Sequence, residues 1–418
     1  MQKNNFALAI AAALAMAGPA SAAVSENVTL YGQVNVSYDM MNTGTPTGSG
    51  ASKGTLSNRL ASNSSRVGMK GSSELGRGWL VLLQAEVTLG SDTGASGCQA
   101  PDSGTTTTSK WKCFFDRNTY LGLSNEDYGT LLVGRYDTPY KIATRKLDVF
   151  ADGIADNRSL MGTTIPGGAN REVVPGAIPA VYANPVVTET FDVRLSNQFF
   201  YLSPNFGSFS IMFGYSNLTE SNTYADQPSG SAVSVAGLYE HGPVYASIAY
   251  EDHTTTQNLL NTAVKATKLG LGYKLGILDV GFAYEISRDE YGNINAYDAI
   301  ANPCGGMMAG ANCSGHSTVY LSGKFHLSDE NAIKIAYTKA GQVGAASSNT
   351  GATQFSLGFD HDFNKRTAGY FLYTSLNNDE LVRYGLSTAS TSGDNSVNPT
   401  GIGGASPSVF SIGMKHSF

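Results

Sequence analysis

The sequence predicts an all-β chain: a 16-stranded antiparallel transmembrane β-barrel with short turns at one end, long loops at the other and one loop folded into the lumen. Three observations carry the barrel prediction. Apolar and polar residues alternate with a period of two through segment after segment. The connections alternate short and long, which a membrane barrel requires and a soluble sandwich does not. An export leader opens the chain, yet the longest later apolar run, WLVLL at Trp79–Leu83, is far too short for a spanning helix. A chain that enters a bilayer without such helices enters as a closed barrel.

The leader comes first. Lys3 supplies a positive start, FALAIAAALAMAG an apolar stretch shorter than the ~18 residues of a spanning helix, and Ala20-Ser21-Ala22 a small-x-small cleavage pattern before Ala23. Residues 1–22 therefore read as a signal peptide and 23–418 as a transmembrane domain. Composition agrees with β structure. There are 48 glycines, Tyr (22) outnumbers Phe (18), and charged residues make up 14%, well below the about one quarter usual in soluble globular proteins. The net charge of −6 argues against a nucleic-acid partner.

Strands are expected near residues 28–40, 64–73, 79–90, 115–123, 130–136, 194–202, 208–216, 232–240, 244–252, 265–274, 277–287, 315–326, 331–340, 352–362, 367–376 and 407–418. In the first, Val28, Leu30, Val34, Val36 and Tyr38 alternate with Thr29, Gln33, Asn35, Ser37 and Asp39. In the second, Val67 and Met69 oppose Arg66 and Lys70; in the third, Val81, Leu83, Ala85, Val87 and Leu89 alternate with Gln84, Glu86 and Thr88. Charges on an inward face are costly in a dry core and solvated in a wet lumen. In the last strand Phe410, Ile412, Met414 and Phe418 share one face, and this strand must pair with the first to leave no open edge in lipid. Aromatics at Tyr31, Tyr38, Phe114, Phe115, Phe199–Tyr201, Tyr370–Tyr373 and Phe418 read as interfacial girdles.

The short connections include SELGRG, SNEDYG, SPNFG, EHGP, KLG, LSDE and FNKR; the long ones include the segment between Cys98 and Cys113 and the segment through Cys304 and Cys313. Four cysteines in an exported chain suggest two local disulfides, Cys98–Cys113 and Cys304–Cys313. Metal binding is the rival reading, but no CxxC or histidine partner supports it, and no metal or cofactor is expected.

Several stretches, in order, resemble the general diffusion porins of Gram-negative outer membranes, especially the β-proteobacterial branch. They are VTLYGQV, SRVGMKGSSELGRG, YLGLSNEDYGTLLVGRYDTPY, RLSNQFFYLSPNFGSF and the terminal Phe418. The resemblance spans essentially the whole mature chain. It implies a homotrimer of sixteen-stranded barrels in outer-membrane lipid and lipopolysaccharide, with Phe418 recognised by the barrel-assembly machinery. It also implies a third loop, here residues 138–192, folded into the lumen to form a constriction. The positions matching the constriction arginines are Arg66, Arg135 and Arg194, with Lys70 in phase with Arg66; the candidate loop acids are Asp148, Asp152 and Asp156 in KLDVFADGIADN. GTTIPGGANREVVPGAIPAVYANPVV makes this loop longer than is usual in the family.

Guanidinium groups stay charged at any working pH, and fixed positive charges on a lumen wall attract anions. The function expected is therefore passive diffusion of small hydrophilic solutes and inorganic anions across the outer membrane. A substrate-specific channel and a structural or adhesive barrel are the alternatives. An enzyme is not expected, because His241, His253, His316, His326, His361 and His416 fall in no catalytic motif.

Overall fold

The computed structural model describes residues 27–46, 53–92, 115–162, 191–217, 229–257, 260–291, 315–342, 349–380, 382, 384–387, 396–397 and 404–418. Sixteen wall strands form one antiparallel barrel. They are β1 (Asn27–Asn42), β2 (Leu56–Ser62 and Arg66–Gly76), β3 (Trp79–Thr88), β4 (Thr119–Asn125), β5 (Gly129–Asp137), β6 (Arg194–Leu202), β7 (Phe209–Asn217) and β8 (Ser229–His241). The rest are β9 (Val244–Gln257), β10 (Leu260–Lys274), β11 (Leu278–Tyr291), β12 (Ser317–His326), β13 (Asn331–Ala340), β14 (Ala352–Asn364), β15 (Thr367–Asn378) and β16 (Ser408–Ser417). Each pairs with its sequence neighbours, and β16 pairs with β1 from Gln33↔Ser417 to Asn42↔Ser408. The N–H of Phe418 donates to the Gly32 carbonyl and the N–H of Gly32 to the Phe418 carbonyl, both at 3.0 Å. No edge remains for lipid to meet.

The two faces follow the alternation read in the sequence. Val28, Leu30, Leu83, Ile335, Ile412 and Met414 are exposed on the outside. Asn35, Ser37 and Asp39 of β1 are buried on the inside, and Asp39 there accepts from the hydroxyls of Ser37 and Ser411, each at 2.7 Å. The girdle expectation holds for Tyr38, Tyr201, Phe371, Tyr373 and Phe418, which are exposed. It does not hold for Tyr31, Phe200 and Tyr370. Tyr31 donates inward to Glu86 at 2.9 Å, Tyr370 donates inward to Asn35 at 2.9 Å, and Phe200 is buried. Phe114 lies outside the described residues.

Four strands depart most from the expected spans. β2 is longer and broken. Leu56–Ser62 pairs with the upper half of β1 and Arg66–Ser72 with its lower half, while Asn63, Ser64 and Ser65 leave the ladder at a left-handed Ser64 (φ 54°). β4 starts late because Asp116 takes over a strand's work: its carboxylate accepts the Thr88 N–H at 2.8 Å and the Thr88 hydroxyl at 2.6 Å. β9 and β10 continue to Gln257↔Leu260, so a β ribbon replaces most of the loop expected there.

Two long loops turn inward. After β5, Thr138 caps a seven-residue helix α1 (Pro139–Arg145); its hydroxyl accepts the Lys141 N–H at 3.3 Å, and Pro139 fills a position that needs no donor. α1 packs on β8, β9 and β10 inside the barrel. In the connection between β15 and β16, Val382, Tyr384, Leu386 and Val397 are buried against Ile154, Leu160 and Met161 of the first inward loop. The signal-peptide segment and Cys98, Cys113, Cys304 and Cys313 lie outside the described residues.

Deleting Phe418 removes both closing hydrogen bonds with Gly32. We expect the barrel to lose about 1–3 kcal/mol of stability, read as a lower unfolding midpoint in detergent. An unchanged midpoint contradicts the closure account.

Candidate functional site: a lumen constriction

Residues 138–162 lie along the inner wall because the wall makes room for them. A Cβ on Gly270, Gly272 or Gly281 would stand 2.9, 2.8 and 2.9 Å from Leu147, and one on Gly358 would stand 2.7 Å from Phe150. Glycines on β10, β11 and β14 thus form a flat bed for the loop. Wall side chains then bind the loop backbone. Tyr245 and Ser247 donate to the Ala143 carbonyl at 2.5 and 2.7 Å, and Ser322 donates to the Leu147 carbonyl at 2.8 Å. The Tyr320 hydroxyl donates to Asp148 at 2.9 Å. Glu285 accepts from the Tyr140 hydroxyl at 2.7 Å and from the Gly162 N–H at 2.8 Å. Buried Lys268 ties Glu285 (3.2 Å) to Asp192 (2.5 Å) at the loop's far end. Segments 22 and 52 residues beyond Tyr140, at Gly162 and Asp192, thereby converge on one wall pair.

The loop brings its own counter-charges. Arg145 lies 2.7 Å from both Asp152 and Asp156 and 3.6 Å from Asp148; Arg158 lies 2.9 Å from Asp156 and 3.7 Å from Asp152. Asp148 and Asp156 are enclosed, whereas the Asp152 side chain is 30% exposed to the lumen. Burial disfavours the charge on Asp152 and on Asp156, but Arg145 and Arg158 outweigh it and hold both carboxyls below the usual range. Asp148 differs. Burial and the neighbouring Asp156 charge push it up to about 6, against Arg145 and the N–H groups of Asn157 and Phe150. Burial also brings Lys141 down to about 8, only partly offset by Asp137.

Across the lumen, Arg66 on β2 reaches Asp152 at 3.5 Å and Glu86 at 3.8 Å. Arg117 lies 2.5 Å from Glu86. Arg194 lies 3.1 Å from Asp137, which also takes Lys141 at 2.5 Å. Arg135 donates to the Asp116 carbonyl at 2.7 Å and to the Ser196 hydroxyl at 2.8 Å. Lys70 stands 5.6 Å from the Tyr31 ring centroid. Among the described residues, no carboxylate lies within salt-bridge distance of Arg135 or Lys70. So Arg66 and Asp152 meet, Arg194 pairs with a strand acid instead of the loop, and Asp148 and Asp156 bind inside the loop. On the short-turn side of the constriction the lumen opens into a cavity of about 590 Å³, lined among others by Lys146, Lys324, Lys334, Tyr370 and Lys415.

Sequence reading missed Arg145 and Arg158, which flank the quoted acidic stretch on either side. The signal was present: Arg145 precedes Asp148 by three residues and Arg158 follows Asp156 by two. Arg117 and Asp137, which complete the wall cluster, carry no comparable local pattern.

A family model described as Gram-negative porin matches residues 7–381. The chain belongs to that family, and it is an outer-membrane β-barrel channel for passive diffusion of small hydrophilic solutes. Outer membrane porin protein 32 of Delftia acidovorans is 26% identical over the full length of both chains. An outer membrane porin protein of Bordetella pertussis is 23% identical over 78% of this chain and 80% of its own. Among solved structures, an anion-selective porin from Comamonas acidovorans aligns with a TM-score of 0.67 at 21% identity, covering 94% of this chain and all of its own. OmpT of Vibrio cholerae aligns at 0.57 and 13% identity over 94% of this chain and 98% of its own.

Gly281→Val should push the Leu147 carbonyl off the wall and shift the loop into the lumen. Single-channel conductance then falls while barrel assembly persists; unchanged conductance contradicts the bed. The loop's two titrations should appear in reversal potentials. Asp148 loses its charge as pH falls through about 6 and Lys141 loses its charge as pH rises through about 8. The anion-to-cation permeability ratio should therefore rise on acidification and fall on alkalinisation. Asp148→Asn should remove the first step and Lys141→Gln the second; a flat profile in the unmodified protein contradicts both assignments.

Proposed function

We propose that the channel prefers anions, with Arg66, Lys70, Arg135 and Arg194 on the wall and Asp148, Asp152 and Asp156 on the loop forming the constriction. One observation carries the reading: the loop's acids are neutralised largely by the loop's own Arg145 and Arg158. That leaves Lys70 and Arg135 on the wall without an ion-pair partner among the described residues. A permeating anion meets net positive potential at the narrowest level, where fixed charge ranks ions most strongly. The cavity beyond adds Lys324 and Lys415, likewise without an ion pair among the described residues, while the acids of its lining, Glu240, Asp279 and Asp360, lie against Lys146, His326 and Lys334. The overall charge of −6 does not oppose this, since charges outside the narrows are screened within about 8 Å. The Comamonas neighbour, titled anion-selective, supports the reading by fold.

Further parts of the reading rest on the family. The mature chain is a homotrimer in contact with lipopolysaccharide, its Phe418 serves the barrel-assembly machinery, and residues 1–22 are removed on export. A Vibrio neighbour is titled as a trimer form. The cysteine count of an exported chain supports disulfides Cys98–Cys113 and Cys304–Cys313, and histidines in no catalytic motif support a channel without enzymatic activity.

Reversal potentials across a salt gradient test the central claim. Their sign should report a higher permeability for chloride than for potassium, and a cation preference overturns it. Neutralising Arg66 or Arg135 should lower the chloride-to-potassium permeability ratio about threefold each, the effect of one unit charge acting through water at about 7 Å. Unchanged ratios in both variants place the constriction charges elsewhere.

A further inference from the structure

Arg66 opens the second half of β2, paired with Gln33 and Thr88. It follows the break in β2, and the break is held by a strap that crosses the barrel's closing seam. Tyr370 belongs to β15, yet its ring lies flat across β16 at Gly413, where a Cβ would stand 2.3 Å from the ring. Its hydroxyl passes over that strand, donates to the Asn35 side chain on β1 at 2.9 Å and accepts from the Asn63 amide at 3.1 Å. Asn63, 2% exposed, also donates to the Ser37 hydroxyl at 2.8 Å, and its N–H donates to the Asn35 carbonyl at 2.8 Å. Ser65 completes the splice: its hydroxyl accepts the Asn35 N–H at 2.9 Å and donates to the Asn35 carbonyl at 3.1 Å.

Between these two anchors stands Ser64, with φ 54°, a conformation that a non-glycine residue holds only when its surroundings impose it. The turn aims the Ser64 carbonyl at the lumen, and Arg66 donates to that carbonyl at 3.1 Å. The same guanidinium nitrogen reaches Asp152 at 3.5 Å. The carbonyl freed from the ladder thus holds the wall's contribution to the constriction.

We propose that Tyr370 and Asn63 are positioning residues for ion selectivity: they hold the break in β2 that aims Arg66 at the constriction loop. The idea rests on the anion-preference reading of Arg66. Neither residue carries charge, so each acts on ions only through the arginine. The strap also fixes β15, β16, β1 and β2 together at the seam, which gives it a structural effect to be separated from the functional one.

The separation uses a double-mutant cycle on reversal potential. Tyr370→Phe keeps the ring over Gly413 and removes only the hydroxyl. We expect the chloride-to-potassium ratio to fall about twofold, the scale of part of one hydrogen bond, and Asn63→Ala to lower it similarly. In an Arg66→Ala background neither change should move the ratio further. Ser64→Gly, which adopts the same turn freely, should leave the ratio as it is. Unfolding midpoints of the same variants report the structural effect independently. If Tyr370→Phe and Asn63→Ala lower stability alone, or act equally with and without Arg66, the positioning role is overturned. If Arg66→Ala itself leaves the ratio unchanged, the anion reading of Arg66 fails, and the strap's role in selectivity fails with it.

Discussion

Hydrocarbon offers no partner to a backbone N–H or C=O, and the rest of this structure depends on that constraint. It forces the ladder to run without an edge from β1 to β16 and to close at Gly32 and Phe418. A closed ladder fixes which side chains face inward, and so converts the period of two into an apolar outside and a polar inside. It also explains why β2 can break without opening the wall. Asn63–Ser65 leave the ladder at a place where the inner face supplies substitutes, the Asn35 carbonyl and the Ser65 hydroxyl. The same three residues facing lipid would strand their polar groups in hydrocarbon.

The inward loop obeys a related constraint. A loop packed into a lumen buries backbone and charge, so both must be satisfied on the spot. Wall tyrosines and serines serve its carbonyls, wall glycines let it approach, and Arg145 and Arg158 neutralise its aspartates. This changes the electrostatic picture drawn from sequence, in which wall arginines face loop acids across open water. Most of the loop's charge is spent within the loop. Arg66 and Asp152 form the one ion pair between a wall arginine and a loop acid among the described residues, and at 3.5 Å with partial exposure it is a weak one. On the proposed reading, the wall's surplus charge is what an ion entering the narrows encounters.

How much of this was legible in the sequence follows the range of the interactions. Strand identity and facing are local, set by alternation, and fifteen of the sixteen spans needed only adjusted ends. The break in β2 was not legible, because it depends on Tyr370, more than 300 positions away, reaching across a glycine. Tyr31 and Tyr370 were misplaced for the same reason: near a strand end, an aromatic looks like a girdle residue unless its hydroxyl partner is known. The inward fold of the last long loop was hidden too, since Tyr384 and Leu386 become core residues only against Leu160 and Met161. Arg66 and Asp152 were found because a resemblance located them, and the loop arginines could have been found from spacing alone.

The choice between the two basic side chains follows their hydration. Where cations sit against several acceptors at the constriction, they are mostly arginines: Arg145 meets two carboxylates, Arg194 a carboxylate and an amide, Arg66 a carboxylate and a carbonyl. A planar fork with five donors and weak hydration gives up water at little cost and satisfies such a set. In the wider cavity the cations are lysines: Lys146 and Lys334 hold Glu240 at 2.6 Å and Asp360 at 2.8 Å, while Lys324 and Lys415, with the compact and strongly hydrated ammonium, have no ion pair among the described residues. Lys268 departs from the rule, fully buried between Asp192 and Glu285, with its ammonium 4.2 Å from the Tyr140 ring centroid. That ring replaces part of the solvation the ammonium has lost. On the proposed reading, a channel that must bind ions weakly enough to release them builds its narrows mostly from arginine, beside Lys70 and Lys141, and lines its approach with lysine.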